Sequence, residues 1–595
     1  MVAALRHRGP DDEGVHVDSG TQVAIGATRL SIIDVAGGHQ PLSNEDGTVW
    51  AVLNGEIYNH PQLQRQLKEA GHRMSSRCDT EVLVHLYEEY GSEMVSGLDG
   101  MFAFAILDLR KRSVLLARDR FGEKPLFMTG EGPLAFASEI VALTRAGLGG
   151  GIDPGAVREY LERSYICGPR TIVEGIIQLL PGHTLEMDCA TGRRTVRRYW
   201  RPPGYNAGSL GVNPRTAVAE AKQLLEQSVR SRLISDVPLG VFLSGGVDST
   251  LIASMAAACT DAPVRTYTVG YEVGAFNEFD AARKSADAIS SIHTEVMIRD
   301  NDVIPLFDDL MGKMDQPIAD QALLASYAVS KRARQDVKVV VGGEGADEIF
   351  VGYPRYLWLR RGEDVRHRAG AALRYGEALA LRAPSPRIRA RADALLGHGT
   401  LMQRNQAWLT GDRAPEVAKV LGPRLVGVGP QIRTHEDGLP AGIPGILNFD
   451  QVEWLPHDVL AKADRSSMLA SLEVRTPYLS AQVAEFAAAV PIGLHMRAGG
   501  KYLLRSVLAQ MMSARFARQP KTAFRVPAAK WLAGPLAGRL KSEANDGPMV
   551  RDGWVDGGVL GTTITEHMCG HADRSDILWP LLCLGTWMRR FKAGG

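Results

Sequence analysis

A chain of 595 residues is too long for one ordinary core, and at roughly 150 residues per domain it has room for two to four. With 45% hydrophobic and 23% charged residues it has the make-up of a soluble globular protein, which excludes disorder as the default. Lys+Arg 68 against Asp+Glu 67 leaves no net field to attract nucleic acid or an anionic membrane, so partners have to be read from local sites.

Residues 1–200 are rich in short β-type runs, "QVAIGATRLSII", "TVWAVLNGEIY", "MFAFAILDL", "SVLLARDR" and "LAFASEI", parted by Gly, Asp and Asn turns. Helical patterns are fewer, chiefly Pro61 to Ala70 and Thr80 to Tyr90, and this half reads as an α+β layered domain. The Pro, Gly and Asn density of "YWRPPGYNAGSLGVNP" marks a linker over 201–214. From 215 to 595 the texture changes. A helix through "AVAEAKQLLEQSVRSRL", the strand "GVFL", a helix "STLIASMAAA" and the strands "RTYTVGY" and "VKVVV" predict a parallel sheet covered by helices. Past about Tyr356 strands are expected to give way to a helical extension, and the basic stretches "RRGEDVRHR" and "SPRIRARAD" read as solvated helix faces. The six cysteines stand far apart with no C-x-x-C pair, and there is no long apolar run or signal peptide. Those features suit reduced thiols in a cytoplasmic protein with no membrane partner.

Two turns carry chemistry. "FLSGGVDST" runs from a strand end through Ser244, Gly245 and Gly246 into a helix bearing Asp248 and Ser249, which gathers free backbone N–H groups and the positive end of a helix dipole where a phosphate would sit. No lysine follows the glycines as in a Walker loop, while Asp248 could hold Mg²⁺; a plain tight βα turn is the alternative. "VKVVVGGEGADEIF" repeats the strand–glycine–helix order and brings Glu344, Asp347 and Glu348 to the carboxyl end of a strand, where open α/β sheets bind ligands. Asp347 can join Asp248 on Mg²⁺ and Glu344 can act as a general base, against a bland reading as acids at a solvated helix start.

"SDVPLGVFLSGGVDST", "DQPIADQA", "GGEGADEIFVGYPRY", "AKADRSSMLASLEVRTPYL" and "GGKYLLR" stand in the order found in the glutamine-hydrolysing asparagine synthetase family. "RHRGPDDEG", "RLSIID", "NGEIYNH", "GMFAFAILD", "RDRFGEKPLF" and "ASEI" extend the resemblance over nearly the whole chain. It implies an N-terminal-nucleophile-type α+β sandwich followed by an α/β adenine-nucleotide domain. It also implies ATP as substrate with Mg²⁺, an aspartyl-adenylate, and ammonia displacing AMP. Carried over, Ser244, Gly245, Gly246, Asp248 and Ser249 become the pyrophosphate loop, Leu243, Val269, Gly342 and Gly343 nucleotide contacts, Asp248 and Asp347 metal ligands, and Glu344 with Lys501 catalytic groups. Lys501 alone could equally be an exposed helix residue. Gly342 departs from an expected serine, which puts one hydrogen bond to nucleotide in doubt.

In the first domain the resemblance assigns glutamine binding to Arg29, Leu30, Ser31, Ile32 and Ile33 of "RLSII", to Asn54, Gly55 and Glu56 of "NGE", and to Asp79. Arg29 suits an α-carboxylate and Asp79 an ammonium group; Asn54 and Gly55 offer an oxyanion two donors. Without the family these would read as an ion pair and a turn. The family's nucleophile is an N-terminal cysteine whose own amine is the base, whereas this chain begins "MVAALRHRG". Cys78, beside Asp79, lacks a free amine and is a poor substitute. Either the protein uses ammonia, or its reading frame starts upstream and supplies a first strand with the cysteine. The second is expected, because a lost strand leaves unpaired backbone and an apolar edge, and an in-frame "M-C-G" upstream would support it.

The expected function is asparagine synthesis from aspartate, ATP and glutamine or ammonia, in a protein that could work as a homodimer. Related folds close β-lactam rings, cyclise lasso peptides or amidate sugars and natural products. A non-catalytic nucleotide-binding regulator is a reading of another class, disfavoured because pure binding has no need of Glu344. An RNA-modifying pyrophosphatase is disfavoured by neutral charge.

Overall fold

The computed structural model describes residues 1–205, 211–369, 392, 397, 399–410, 413–429, 440–519 and 525–593. The arginines of "SPRIRARAD" and the centre of the expected linker, 206–210, lie outside them. In the first half, β1 (Asp12–Asp18) and β2 (Val23–Arg29) form a hairpin. Next come β3 (Leu42–Ser43), β4 (Val49–Ile57), β5 (Gly100–Asp108), β6 (Ser113–Arg118), β7 (Phe127–Thr129), β8 (Phe136–Ala137), β9 (Ile176–Gln178), β10 (His183–Asp188) and β11 (Arg194–Arg198). An antiparallel sheet of order β11-β10-β6-β5-β4-β3 is the centre, with β8-β7-β9 beside it.

The period-2 alternation of a pleated strand divides this sheet's two faces. Phe102, Phe104 and Ile106 of β5 pack with Val49, Ala51 and Leu53 of β4 beneath helices α1 (His60–Ala70) and α2 (Glu81–Tyr90). Ala103, Ala105 and Leu107 point the other way, against Ile25 of β2 and Leu126 and Met128. Burial on both faces is why "MFAFAILDL" is a continuous apolar run instead of an alternating one. Of "LAFASEI" only Phe136–Ala137 is strand, and a short helix starts at Ile140.

The second half opens on a helix, Pro214–Arg232, started by Asn213, whose side chain accepts from the Arg215 N–H, with Pro214 in the first turn. Five parallel strands follow: β12 (Leu239–Phe242), β13 (Arg265–Tyr271), β14 (Ile292–Ile298), β15 (Val339–Val341) and β16 (Glu473–Arg475), ordered β14-β13-β12-β15-β16. Helix α3 (Val247–Ala258) leaves β12. β16 corrects the expectation that strands end near Tyr356. "LEVRTP" is three residues of strand inside a helix-rich stretch, too short for periodicity to reveal, and it is fixed by pairing with Val339, Val340 and Val341.

The two halves meet through buried charge. Arg8 forks onto Asp464 with two bonds of 2.8 Å and reaches Glu139 at 3.1 Å. Arg475, wholly buried on β16, donates to Glu473 and Glu56, both at 2.9 Å, and to the carbonyls of Arg232 and Ile234. Only a planar fork satisfies so many acceptors at once. Arg475→Lys keeps the charge but leaves buried acceptors unmet. It is expected to lower unfolding free energy by about 1–3 kcal/mol, read as a shift of the urea midpoint at unchanged slope.

Candidate active site

The crevice that gathers the second half's predicted residues follows from strand order. β12 is flanked by β13 and β15, and the chain runs to β13 and β14 on one side but to β15 and β16 on the other. The turns leaving β12 and β15 therefore stand side by side at the topological switch point. In the first turn Gly245 has φ +76°, and a Cβ there would lie 2.5 Å from the backbone nitrogen of Ala282. Neither the conformation nor the space admits a larger residue. The Ser249 Oγ accepts from the Ser244 N–H at 3.1 Å and lies 3.0 Å from the Ser244 Oγ, tying the turn to the first turn of α3. Leu243 and Val269 are buried behind it. Gly343, from the second turn, packs so close that a Cβ would sit 3.5 Å from that of Asp248.

Lys501 joins the turns. Its Nζ lies 2.5 Å from Asp248 Oδ2 and 2.5 Å from Asp347 Oδ1, and the lysine is buried at the head of helix Tyr502–Met511 with φ +55°. Burial rules out the exposed-helix reading. A Cβ on Gly352 would overlap both Asp347 and the Lys501 stem, so "VGY" owes its glycine to this pair. The Tyr478 hydroxyl donates to the Asp248 carbonyl at 3.0 Å. Asp248 Oδ1 is buried without a hydrogen-bond partner; an unmet carboxylate oxygen, with a second carboxylate on the same lysine, is a donor set that suits a hard divalent cation.

Glu344 is half-buried with its Oε2 enclosed and accepting no hydrogen bond, and desolvation raises its carboxyl above the ordinary range against the opposing charge of Lys462. The carboxylate fills the space a side chain at 342 would need: a Cβ on Gly342 would overlap Glu344 Oε2. The departure from serine is thus matched by the pose of the neighbouring acid. Glu348 points away, accepting from the Tyr353 hydroxyl at 2.6 Å, and burial beside Asp347 pushes it up to about 7.

In the first half a cavity of about 960 Å³ is walled by Arg29, Leu30, Ile32, Ile33, Asn54, Gly55, Glu56 and Asp79, with Glu473 from the second half. Ser31 is not on its wall; its N–H donates to Asp11 at 2.9 Å. The Arg29 guanidinium is held by the carbonyls of Ile33 and Asp34 at 2.7 and 2.8 Å, which aims it without neutralising its charge. Asp79 accepts from the Ile57 N–H at 3.0 Å. It is not ion-paired to Arg29, the bland alternative for the two. Asn54 donates to the Ser138 hydroxyl at 3.3 Å. Gly55 has φ +136°, and a Cβ would overlap the Met101 carbonyl. Glu56 faces Asp79, but its Oε2 is taken by Arg475. Cys78 is buried, and burial together with the Asp79 carboxylate pushes its thiol well up, the opposite of an activated nucleophile.

Residues 220–589 match the family model described as asparagine synthase, and residues 1–200 match the glutamine amidotransferase domain. The chain belongs to the asparagine synthase family. A relative from Mycobacterium bovis is 33% identical, with 98% of this chain and 92% of its own length covered. One from Bacillus subtilis, named "Asparagine synthetase (glutamine-hydrolyzing) 1", is 31% identical over 99% and 92%. One from Zea mays, named "Asparagine synthetase (glutamine-hydrolyzing)", is 36% identical over 59% and 56%.

This asparagine synthase family member carries further groups at the site that residue typing overlooked. Lys462 is half-buried with its Nζ 2.6 Å from Asp320, and although desolvation alone would lower it, Asp320 and Asp458 raise it. Its charge faces Glu344. Burial, then Asp320, pushes Asp458 up to about 8. Lys462 lies in "AKADR" and Asp320 in "DQPIADQA". Both stretches serve as family signatures, but nothing local in them says that one lysine would bridge them across 142 residues of chain.

Proposed function

We propose that the protein is an ATP-dependent amidotransferase that forms asparagine, AMP and pyrophosphate from aspartate, ATP and a nitrogen donor. The observation that carries this reading is the meeting of the two glycine turns around Lys501, Asp248 and Asp347, with the Glu344 carboxylate, its Oε2 unmet, on the second turn. Backbone N–H groups at the start of α3 take the β- and γ-phosphates while the aspartate side-chain carboxylate attacks the α-phosphorus. Pyrophosphate leaves, and an aspartyl-adenylate remains. Ammonia then attacks the acyl carbon, Glu344 accepts the proton lost from nitrogen, and AMP departs. Mg²⁺, held by Asp248 and Asp347, would neutralise charge on the phosphates. Lys501 keeps those carboxylates in register beforehand.

Glutamine is the proposed donor. Arg29 would take its α-carboxylate, Asp79 its ammonium group, and Asn54 with the Gly55 N–H the oxyanion. Among the described residues no helix is long and apolar enough to cross a membrane, and all six cysteines are free thiols, which supports placement in a reducing cytoplasm. The test is pyrophosphate release with ATP, Mg²⁺, aspartate and either ammonium or glutamine, against mixtures lacking each. Aspartate-dependent release with one asparagine formed per pyrophosphate is expected; release that ignores aspartate would overturn the assignment of the acceptor.

A further inference from the structure

Away from both pockets, on the outer side of the first half, four side chains converge: Glu45 on the β3–β4 turn, His72 just after α1, and His85 and Glu88 on α2. One ligand atom from each lies within 4.8 Å of all the others. His85 Nδ1 is 3.4 Å from Glu88 Oε2 and 3.5 Å from Glu45 Oε2. His72 Nδ1 is 3.7 Å from Glu88 Oε2 and 4.0 Å from Glu45 Oε1. Ligands at zinc–nitrogen and zinc–oxygen bond lengths stand about 3.3–3.4 Å apart on a tetrahedron, so an ion would draw the closer pairs together by a few tenths of an ångström and the widest, within 4.8 Å, by up to about 1.4 Å.

Three of the four groups are also held from outside in the way a metal ligand is. Both histidines turn Nδ1 inward, and His72 Nε2 lies 3.0 Å from Glu89, the outer carboxylate that fixes ring orientation in metal sites. His85 Nε2 faces Glu81 at 3.9 Å, beyond hydrogen-bond reach. Glu88 Oε1 accepts from the Asn44 side chain at 2.7 Å, leaving Oε2 for the centre. Glu45 Oε1 accepts from the Arg73 N–H at 2.8 Å, leaving Oε2 toward His85. Glu81 is itself fixed by four bonds of 2.6–2.7 Å from the N–H and hydroxyl groups of Ser75 and Ser76. The His85 side chain is fully buried, whereas that of Glu45 is 39% exposed and gives an ion a way in.

We propose that Glu45, His72, His85 and Glu88 form a structural site for a divalent transition ion, with zinc the best match to two imidazoles and two carboxylates. The ion ties the β3–β4 turn to α2 and, through His85, Glu81 and the two serines, to the segment that leads into Asp79.

The test uses the full chain without a histidine tag, stripped with a chelator and then titrated with zinc chloride. One zinc bound per chain is expected, with a raised melting temperature and slower amide exchange over residues 72–79. Cobalt in its place should give the visible absorption of a tetrahedral ion. His72→Ala and Glu45→Gln, both at partly exposed positions, should each weaken zinc at least tenfold while the chain stays folded. Asp248→Asn should leave this zinc untouched, separating it from the nucleotide crevice. Failure to retain zinc, or retention undiminished in His72→Ala and Glu45→Gln, would overturn the site.

Discussion

Glu344→Gln is expected to reduce asparagine formation by about 10²–10⁴-fold while ATP still binds, because an amide of the same shape can fill the space over Gly342 but cannot take a proton from nitrogen. The acyl-adenylate should still form, so single-turnover experiments should separate retained pyrophosphate release from lost amide transfer. The wild-type profile adds a pH test. Burial raises this carboxyl, so the acid limb of the rate should lie above the ordinary carboxylate range, and the variant should lose that limb. Stability moves oppositely. A carboxyl raised in the folded state contributes stability that is fully present below its unfolded pKa and is lost as pH rises through the folded one. Glutamine carries no charge to bury, so the variant should be at least as stable as wild type at pH 8. Unchanged turnover would refute the base assignment, and a less stable variant would refute the account of its burial.

The sequence made the nucleotide crevice legible because its parts are local. Glycine turns after apolar strands announce where a sheet ends, and acids within a few residues of such a turn must lie on that edge. Ser244, Gly245, Gly246, Asp248, Glu344 and Asp347 needed no more than that, whereas Leu243, Val269 and Gly343 came with the family resemblance. Lys501 needed the family, since nothing in "GGKYLLR" says that it reaches back across 253 residues to Asp248. Interactions of this range stayed hidden throughout. β16 is three residues long and owes its existence to β15. Arg475 and Arg8 are buried between the halves by ion pairs with partners far off in the chain. Glu56 lines the cavity and its carboxylate also accepts from Arg475, so one residue of the pocket wall is anchored to the edge strand of the other half. Ser31 sits in the same motif but is not on the cavity wall. The His72–His85 cluster escaped notice because its members come from a turn, a loop and a helix, with none of the short, regular spacings of a metal-binding motif.

Lys501→Met tests whether the lysine organises the crevice or merely crosses it. Methionine keeps much of the stem that packs against Gly352 but removes the charge between Asp248 and Asp347. Two carboxylates would then face each other with no cation, and breaking a buried pair by deleting one partner costs about 3–5 kcal/mol. Without Mg²⁺ the variant should therefore melt well below wild type. Saturating Mg²⁺ should restore more stability to the variant than to wild type, because an ion that binds only the folded chain stabilises it by mass action. Turnover should fall by at least about 10²-fold even when Mg²⁺ and ATP saturate, since removing one preorganised donor from a charge-stabilising site typically costs that much. Lys501→Arg, with a longer and planar head, should fold but recover little of that rate. Equal Mg²⁺ responses in Lys501→Met and wild type would mean that the two aspartates do not share an ion. The lysine would then be a structural tie between the turns, and Asp248 would need another partner for its unmet oxygen.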